Sequence, residues 1–391
     1  MYMVDIEKNA HNWDGPPLVF SPDESVTDPE ATVIDLFSGP GGLSEGFKLA
    51  GYTPILGGDI HEPSIDTYRN NNPQAHTILG NVKKLTKEEQ DTRSVMEVLE
   101  DDSYGEFSRL QKILDRLPVD DIDVLTGGIP CQGFSIANKK QDDDDERNYL
   151  FEEMVRAAKI LDPNVILLEN VSTMTAAKDG KFVEDIHKCF EELGYVSDHN
   201  VLLASDYGVP QKRKRLFFVA SKSADEICWP EKTTPDTSVT VGDALLDLEP
   251  LKPAESASTY ATEPTTEYQS VMRSNADSYT NHEAPRHQDK TVERIQETKP
   301  GEPMYDRFKQ RIRLDSSKPS PTVVSGGIRP QFQLGHPTQN RGLTVRERAR
   351  LQSFPDTFSF CGGVTQGRVQ TGMAVPPLLA KELATTIQSL I

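Results

Sequence analysis

Residues 31–51, "ATVIDLFSGPGGLSEGFKLAG", decide how the rest of the chain is read. The opening run is apolar and ends at a glycine, the pattern of a short strand buried on both faces of a parallel sheet. Glycines 39, 41 and 42 then form a turn that lets the backbone approach a ligand, and the helix that follows, closed by Gly51, starts with unpaired N–H groups. Strand, glycine turn and helix in that order open a βαβ unit.

Working outward, "YTPILGGDI" reads as a second strand, and "IDVLTGGIP", "VILLENV", "HNVLLAS" and "RLFFVAS" as further ones. Helical stretches such as "YLFEEMVRAAKIL" and "KFVEDIHKCFEELG" separate several of them. This alternation predicts an α/β fold with a doubly wound, Rossmann-like sheet over residues 31–221. Residues 1–30, acidic, proline-containing and without periodicity, are expected to be a flexible tail. From 222 to 318 the chain is rich in Thr, Ser, Pro and Glu and reads as an inserted, smaller and less regular segment. Order returns over 319–391 with "PSPTVVSGG", "TVRERARLQSF" and a closing helix after "AVPP".

With 391 residues, 36% hydrophobic and 26% charged, the chain can build one large domain and a smaller one. No run approaches the ~20 apolar residues of a membrane helix, and "MYMVDIEKNAH" lacks the blocks of a signal peptide, so a cytoplasmic protein is expected. The four cysteines, Cys131, Cys189, Cys228 and Cys361, are far apart, which argues against a zinc site and against a disulfide framework. Cys189 sits in a helical pattern and reads as a packed residue.

A formal charge of -19 disfavours a nucleic-acid partner at first sight. Residues 301–350, however, hold ten Lys or Arg against four Asp or Glu. An acidic body with a basic face can still bind a polyanion. Taken alone, "RERAR" reads better as the solvated side of a helix.

Several polar residues should gather at the carboxyl ends of the strands, where sheets of this kind bind ligands. Asp59 ends the second strand, and an acid there can accept hydrogen bonds from ribose hydroxyls; a structural turn with an incidental Asp is the plainer alternative. The glycine segment is not GxGxxG and no GxxxxGK[ST] is present, so nucleotide phosphate binding loses support. Cys131, between Pro130 and Gln132 in "GGIPCQGFS", is poorly placed for a packed thiol. A free thiol has a pKa of about 8.5, lowered by nearby positive charge or a helix N-terminus. Glu169 ends "VILLE"; partly desolvated there, its carboxyl would have a raised pKa and serve as an acid, while capping the next helix is the other reading. Arg213 and Arg215 point to one side of their strand, and Lys212 and Lys214 to the other.

Together these segments resemble the cytosine-C5 DNA methyltransferase family. "DLFSGPGG", "GGIPCQGFS", "LLENV", "DYGVPQKRKR", "PSPTVVSGG" and "TGMAVPP" occur in family order. The resemblance implies S-adenosyl-L-methionine as methyl donor, bound by Phe37, Ser38, Gly39, Gly41, Gly42 and Leu43, with Asp59 on the ribose and Ile60 against adenine. Asn81, Val82, Pro130 and Ala374 would complete that pocket. It implies Cys131 as nucleophile, Glu169 at cytosine N3 and Arg215 near the base, with Gln132, Ser135 and Arg213 joining the site or the backbone phosphates. In "IANKKQDDDDERNYLF", a loop expected to close over the base, Lys139, Lys140 and Arg147 would face the strand, and the Asp142–Asp145 run would face solvent. Residues 222–318 would be the target-recognition region, and the final helix would return beside the first.

The implied substrate is a cytosine in a specific double-stranded DNA sequence, rotated out of the helix because C6 is inaccessible in a stacked duplex. The implied enzyme is a monomer of restriction–modification type; a cognate endonuclease would act separately. No metal is implied. Two positions depart from the family pattern: Asn81 replaces a common Asp but keeps an acceptor, and Met373 replaces the Asn of Gly-Asn-Ala-Val-Pro-Pro. Methylation of RNA is disfavoured because Cys189–Phe190 is followed by Glu191, not Thr. A catalytically weak DNA-binding homologue is disfavoured by the intact Cys131, Glu169 and Arg215. Adenine-N6 methylation lacks its Pro-Pro-aromatic motif.

Overall fold

The computed structural model describes the chain outside residues 1–11, 24–28, 88–90, 92, 107, 118, 120, 131–149, 235–237 and 326–332. The chain forms two compact units. One comprises Asn9–Leu202, Lys214–Glu231 and Ala380–Ile391; the other comprises Leu203–Arg213 and Lys232–Leu379.

The first unit is built on strands β1 (Leu18–Phe20), β2 (Thr32–Leu36), β3 (Thr53–Asp59), β4 (His76–Leu79), β5 (Val124–Gly128), β6 (Val165–Val171) and β7 (Val196–Leu203). After the short β8 (Gln211–Lys212), which belongs to the second unit, comes β9 (Lys214–Ser221). The sheet order is β1-β4-β3-β2-β5-β6-β9-β7. Strands β4, β3, β2, β5 and β6 run parallel, while β1 and β9 pair antiparallel to β4 and β6. The chain thus moves outward from β2 to β4, then returns to β5 on the other side of β2. That reversal opens a crevice at the carboxyl ends of β2 and β5.

Helices α1 (Gly42–Leu49), α2 (Glu62–Asn71), α3 (Lys83–Thr86), α4 (Val95–Leu99), α5 (Arg109–Leu114), α6 (Phe151–Leu161) and α7 (Lys181–Glu192) connect the strands. One core joins Leu36, Leu125 and Leu168 of the sheet to Met154 of α6 and Phe190 of α7. All five residues of β2 are buried, as the apolar run predicts. The chain end returns to this unit: Tyr52 Oη donates to Ala384 O (3.3 Å) and Gln388 Nε2 to Ala50 O (2.8 Å).

Residues 12–20 differ from the expected tail. β1 pairs with β4, Trp13 N donates to Ile60 O (2.9 Å), and Lys84 Nζ donates to Asp14 O (2.7 Å). This segment is anchored by backbone hydrogen bonds to a sheet edge, and such bonds depend little on side-chain pattern.

In the second unit α8 (Val241–Leu245), α9 (Glu267–Met272) and α10 (Asp289–Glu297) are short, in keeping with the irregular composition. Here β10 (Ile312–Arg313) pairs with β12 (Leu334–Gly335), and β11 (Ser320–Pro321) pairs with β8. Helices α11 (Val345–Leu351) and α12 (Gly363–Met373) follow, and α13 (Pro377–Ile387) leads into the first unit. Residues 319–379 therefore cluster with 232–318, and the return is made by Ala380–Ile391.

The "RERAR" run is not a solvated helix side. Every residue of α11 is buried. Arg341 pairs with Glu347 (2.7 Å), and Arg350 pairs with Asp356 (2.6 Å) and Asp247 (3.2 Å). Much of the positive charge in 301–350 is thus neutralised internally.

Gly127 lies where β5 passes β2, and a Cβ there would sit 2.3 Å from Leu36 O and 3.0 Å from Met154 Cε. At Gly58 the nearest atom is the flexible Leu36 Cδ2 at 3.3 Å. Gly127→Ala is expected to cost about 3 kcal/mol and Gly58→Ala less than about 1.5 kcal/mol, read by chemical denaturation. Equal losses would show that the strand spacing at β2–β5 is not what Gly127 protects.

Candidate active site

The turn after β2 is held by a carboxylate on the neighbouring strand. Asp59, 8% exposed at the end of β3, receives Gly39 N on Oδ2 and His61 N on Oδ1, both at 2.8 Å. Burial raises its pKa, and the two N–H bonds oppose that rise. Ser38 N donates to Gly58 O and Gly41 N to Ser38 O, each at 3.0 Å, so the turn is fastened at both ends.

The backbone of this turn is unusual. Phe37 has φ 58° although it carries a side chain, and Gly41 has φ 100°. Left-handed geometry at a non-glycine residue is costly and clusters at functional sites. At Gly41 a Cβ would also lie 3.0 Å from the Tyr68 ring, so glycine is required there on two counts. Gly42 and Leu43 then open α1, which has no side-chain cap at its start.

Ile60 is half-buried and its carbonyl accepts from Trp13 N. Asn81 Oδ1 accepts from Lys83 N (3.0 Å), so the acceptor retained at this position also starts α3, and Val82 beside it is buried. At the end of β5, Ile129 N donates to Glu169 O (3.1 Å), and Pro130 is exposed. Cys131, Gln132, Ser135, Lys139, Lys140 and Arg147, together with the Asp142–Asp145 run, lie outside the described residues.

Glu169 and Arg215 meet across the antiparallel β6–β9 pair, where Val171 is opposite Arg215. Arg215 Nε lies 2.7 Å from Glu169 Oε1. Glu169 is buried, so its partner is an arginine on a neighbouring strand and not a helix start. A Cβ on Gly128 would come within 3.3 Å of Glu169 Oε2, so the glycine keeps the space beside this carboxylate open.

Arg213 does not reach a surface that a phosphate could occupy. It is 1% exposed, and its guanidinium donates to Val323 O (3.1 Å) and Gly372 O (3.3 Å) inside the second unit. Arg213 was expected on a strand beside Arg215, but it falls between β8 and β9 and is packed. In the same unit Gly372 has the Ser325 backbone N 2.1 Å from where its Cβ would be. Met373 is 38% exposed and Ala374 is buried.

One group at the site was not singled out from the sequence. Asp35 lies fully buried in β2; its Oδ2 accepts from Ser44 Oγ (2.7 Å), which also bonds Tyr68 Oη (2.9 Å). Its Oδ1 has no hydrogen-bond partner among the described residues. Burial, opposed by the Ser44 bonds and aided by the charge of Asp59, pushes the Asp35 carboxyl up to about 7. The signal was present as a lone acid within the apolar "TVIDL".

The family model for C-5 cytosine-specific DNA methylases matches residues 31–389. The chain belongs to this family. The type II methyltransferase M1.HphI of Haemophilus parahaemolyticus is 37% identical over 368 residues, covering 91% of this chain and 86% of that one. M.DdeI of Desulfomicrobium norvegicum, also a type II methyltransferase, is 33% identical over 393 residues, covering 91% and 88%. A solved E. coli structure, described as a DNA modification methyltransferase encoded within a prophage, superposes with TM-score 0.74 at 26% identity and covers 92% of this chain and 99% of its own. The protein is therefore a C5-cytosine DNA methyltransferase, and S-adenosylmethionine use follows from the family. No helix among the described residues is long and apolar enough to cross a membrane.

The buried Asp35 gives the methylase a pH signature. Its folded pKa is raised above the unfolded value, so the native state holds a proton that the unfolded state has released between pH ~4 and ~7. Its contribution to stability therefore falls as pH rises through that window, by up to roughly 1.4 kcal/mol per pH unit. Asp35→Asn is expected to gain stability relative to wild type between pH 5 and pH 7.5 in urea titrations. A difference independent of pH would mean that Asp35 is ionised in the folded protein throughout.

Proposed function

We propose that the protein methylates C5 of a cytosine in a specific double-stranded DNA sequence, with the base rotated out of the duplex and held in a covalent Cys131–C6 adduct. The observation that carries the reading is the Glu169–Arg215 pair, 2.7 Å apart at the carboxyl end of β6, beside the strand that leads into Cys131. The type II relatives support a modification enzyme of a restriction–modification system; in this reading it acts as a monomer, with any endonuclease separate.

The strand ends suit an adenosine-bearing methyl donor. Each oxygen of Asp59 receives one backbone N–H, so each keeps a lone pair for a ribose hydroxyl. The uncapped start of α1 leaves N–H groups for a carboxylate. S-adenosylmethionine, when bound, supplies an electrophilic methyl group. Phe37, Ser38, Gly39, Gly41, Gly42 and Leu43 would hold it with Asp59, Ile60, Asn81, Val82 and Pro130.

The protein's own task is to make C5 nucleophilic. The Cys131 thiolate adds to C6, and the ring electrons move toward C5 and N3. Glu169 protonates or hydrogen-bonds N3 and disperses that charge, while Arg215 fixes the Glu169 carboxyl against the ring. Once C5 is methylated, loss of its proton and expulsion of the Cys131 sulfur restore aromaticity. Gln132, Ser135, Lys139 and Arg147 are assigned to the DNA strand around the flipped base. Arg213 is reassigned to holding Val323 and Gly372 in place.

Duplex DNA carrying 5-fluorocytosine, which cannot lose a C5 proton, is expected to trap the wild-type protein covalently, and Cys131→Ala is expected to form no adduct. Wild-type protein that forms none on any methylatable duplex would sink the mechanism. Glu169→Gln is expected to lower methyl transfer about 10²–10³-fold, measured with labelled methyl donor. Bisulfite sequencing of DNA from expressing cells reads the target sequence directly.

A further inference from the structure

The buried arginines of the second unit fall into two groups. Arg341, Arg346 and Arg350 each have a carboxylate within 4 Å: Glu347 at 2.7 Å, Asp356 at 3.7 Å and Asp356 at 2.6 Å. Arg348, on the same helix and 3% exposed, has none among the described residues. Its guanidinium meets only neutral acceptors: Thr371 Oγ1 at 3.0 Å, Val324 O at 2.8 Å and Arg368 O at 3.0 Å. The Nη1 nitrogen has no hydrogen-bond partner among the described residues.

Arg368, on α12, is half-buried. Among the described residues its guanidinium has no hydrogen bond and no ion pair. The neighbouring charge adds to the burial of Arg348 and pushes its pKa down to about 9, while burial alone lowers that of Arg368. No carboxylate offsets either shift. Arginine does not shed its proton at neutral pH, so both charges remain, and neutral acceptors solvate the Arg348 charge without neutralising it. A fold with 61 Asp and Glu against 42 Lys and Arg has acids to spare for pairing. Arg348 donates to the carbonyl of Arg368 (3.0 Å), so the two residues are neighbours, and with no carboxylate paired to either among the described residues they are suited to an anion.

We propose that Arg348 and Arg368 form an anion site in the second unit that receives a phosphate of the DNA backbone. Arg348 is fixed by its three acceptors, which include the carbonyl of Arg368 itself, so it presents Nη1 rigidly. Arg368, the more exposed of the two, closes on the phosphate from outside. A contact of this kind carries no sequence information and fixes register on the duplex. The assignment rests on the reading of double-stranded DNA as substrate.

The test compares wild type with Arg368→Gln and Arg368→Lys, since Arg348 also holds the fold together. Duplex binding measured from ~50 to ~200 mM salt is expected to weaken several-fold in Arg368→Gln, equally on methylated-site and unrelated duplexes, with the log–log salt slope reduced by about 1. Arg368→Lys should recover most of that slope. Without DNA, Arg368→Gln should melt at or above wild type, because it removes an unpaired charge, and inorganic phosphate should raise the melting temperature of wild type more than that of the variant. An unchanged slope, or a variant that melts lower and binds DNA as wild type does, overturns the site. Phosphate protection with an unchanged slope would assign it to a free anion and overturn the DNA contact. If wild type itself shows no salt-dependent duplex binding, the substrate reading has failed, and the phosphate melts report on the recess separately.

Discussion

The hydrogen bonds from Gly39 N and His61 N to the carboxylate of Asp59 fix the site to the sheet. They join the turn after β2 to the end of β3, and so lock together the two strand ends at which a methyl donor would lie. Without them nothing would compensate the left-handed geometry of Phe37 and Gly41, and the start of α1 would lose its fixed direction. Tyr68 enforces the same arrangement from below. Its ring fills the space over Gly41 and Gly57, and its hydroxyl reaches Ser44, which in turn holds the buried Asp35. The glycines of "DLFSGPGG" and "LGGDI" are therefore as much a seat for one tyrosine as a place for a ligand.

The sheet was legible because its strands are short apolar runs separated by helical periodicity, and both signals are local. "TVIDL", "VLTGG" and "VILLENV" are strands where they were expected, and the crevice follows from their order. β1 was not legible. Leu18–Phe20 is three residues long, and its pairing with β4 is made by backbone groups of residues about sixty positions away in the chain. Nothing in "LVF" distinguishes an edge strand from a tail. The closing segment shows the same limit: helix periodicity located α11 and the closing α13, but the grouping of 319–379 with 232–318 depends on packing that no window of sequence contains.

For the candidate site, residue type and spacing located Glu169 and Arg215 at strand ends, and the antiparallel register of β6 and β9 brings them to 2.7 Å. Alternation set Arg213 on a strand beside Arg215, whereas it lies between β8 and β9 and turns to Val323 and Gly372. Periodicity gives direction; burial is set by what the rest of the chain brings to that face. Asp35 belongs to the same lesson. A carboxyl inside a fully buried strand was visible in the sequence, but the Ser44–Tyr68 partners that let it stay there come from two different helices.

Net charge misled most, because it counts residues without locating them. The ten basic residues of 301–350 suggested a face, yet α11 carries its three arginines inward. Two of those three, Arg346 and Arg350, together with Arg341 before the helix, are answered by carboxylates, so they contribute nothing to an external field. An acidic protein that must hold a polyanion cannot rely on its overall potential, which repels it. It needs positive charge sheltered from its own acids, in a place where low dielectric strengthens each contact and the surrounding carboxylates cannot reach. Arg348 and Arg368 meet that requirement where the acid-rich exterior does not, because no carboxylate among the described residues pairs with them and competes with an anion that arrives from outside.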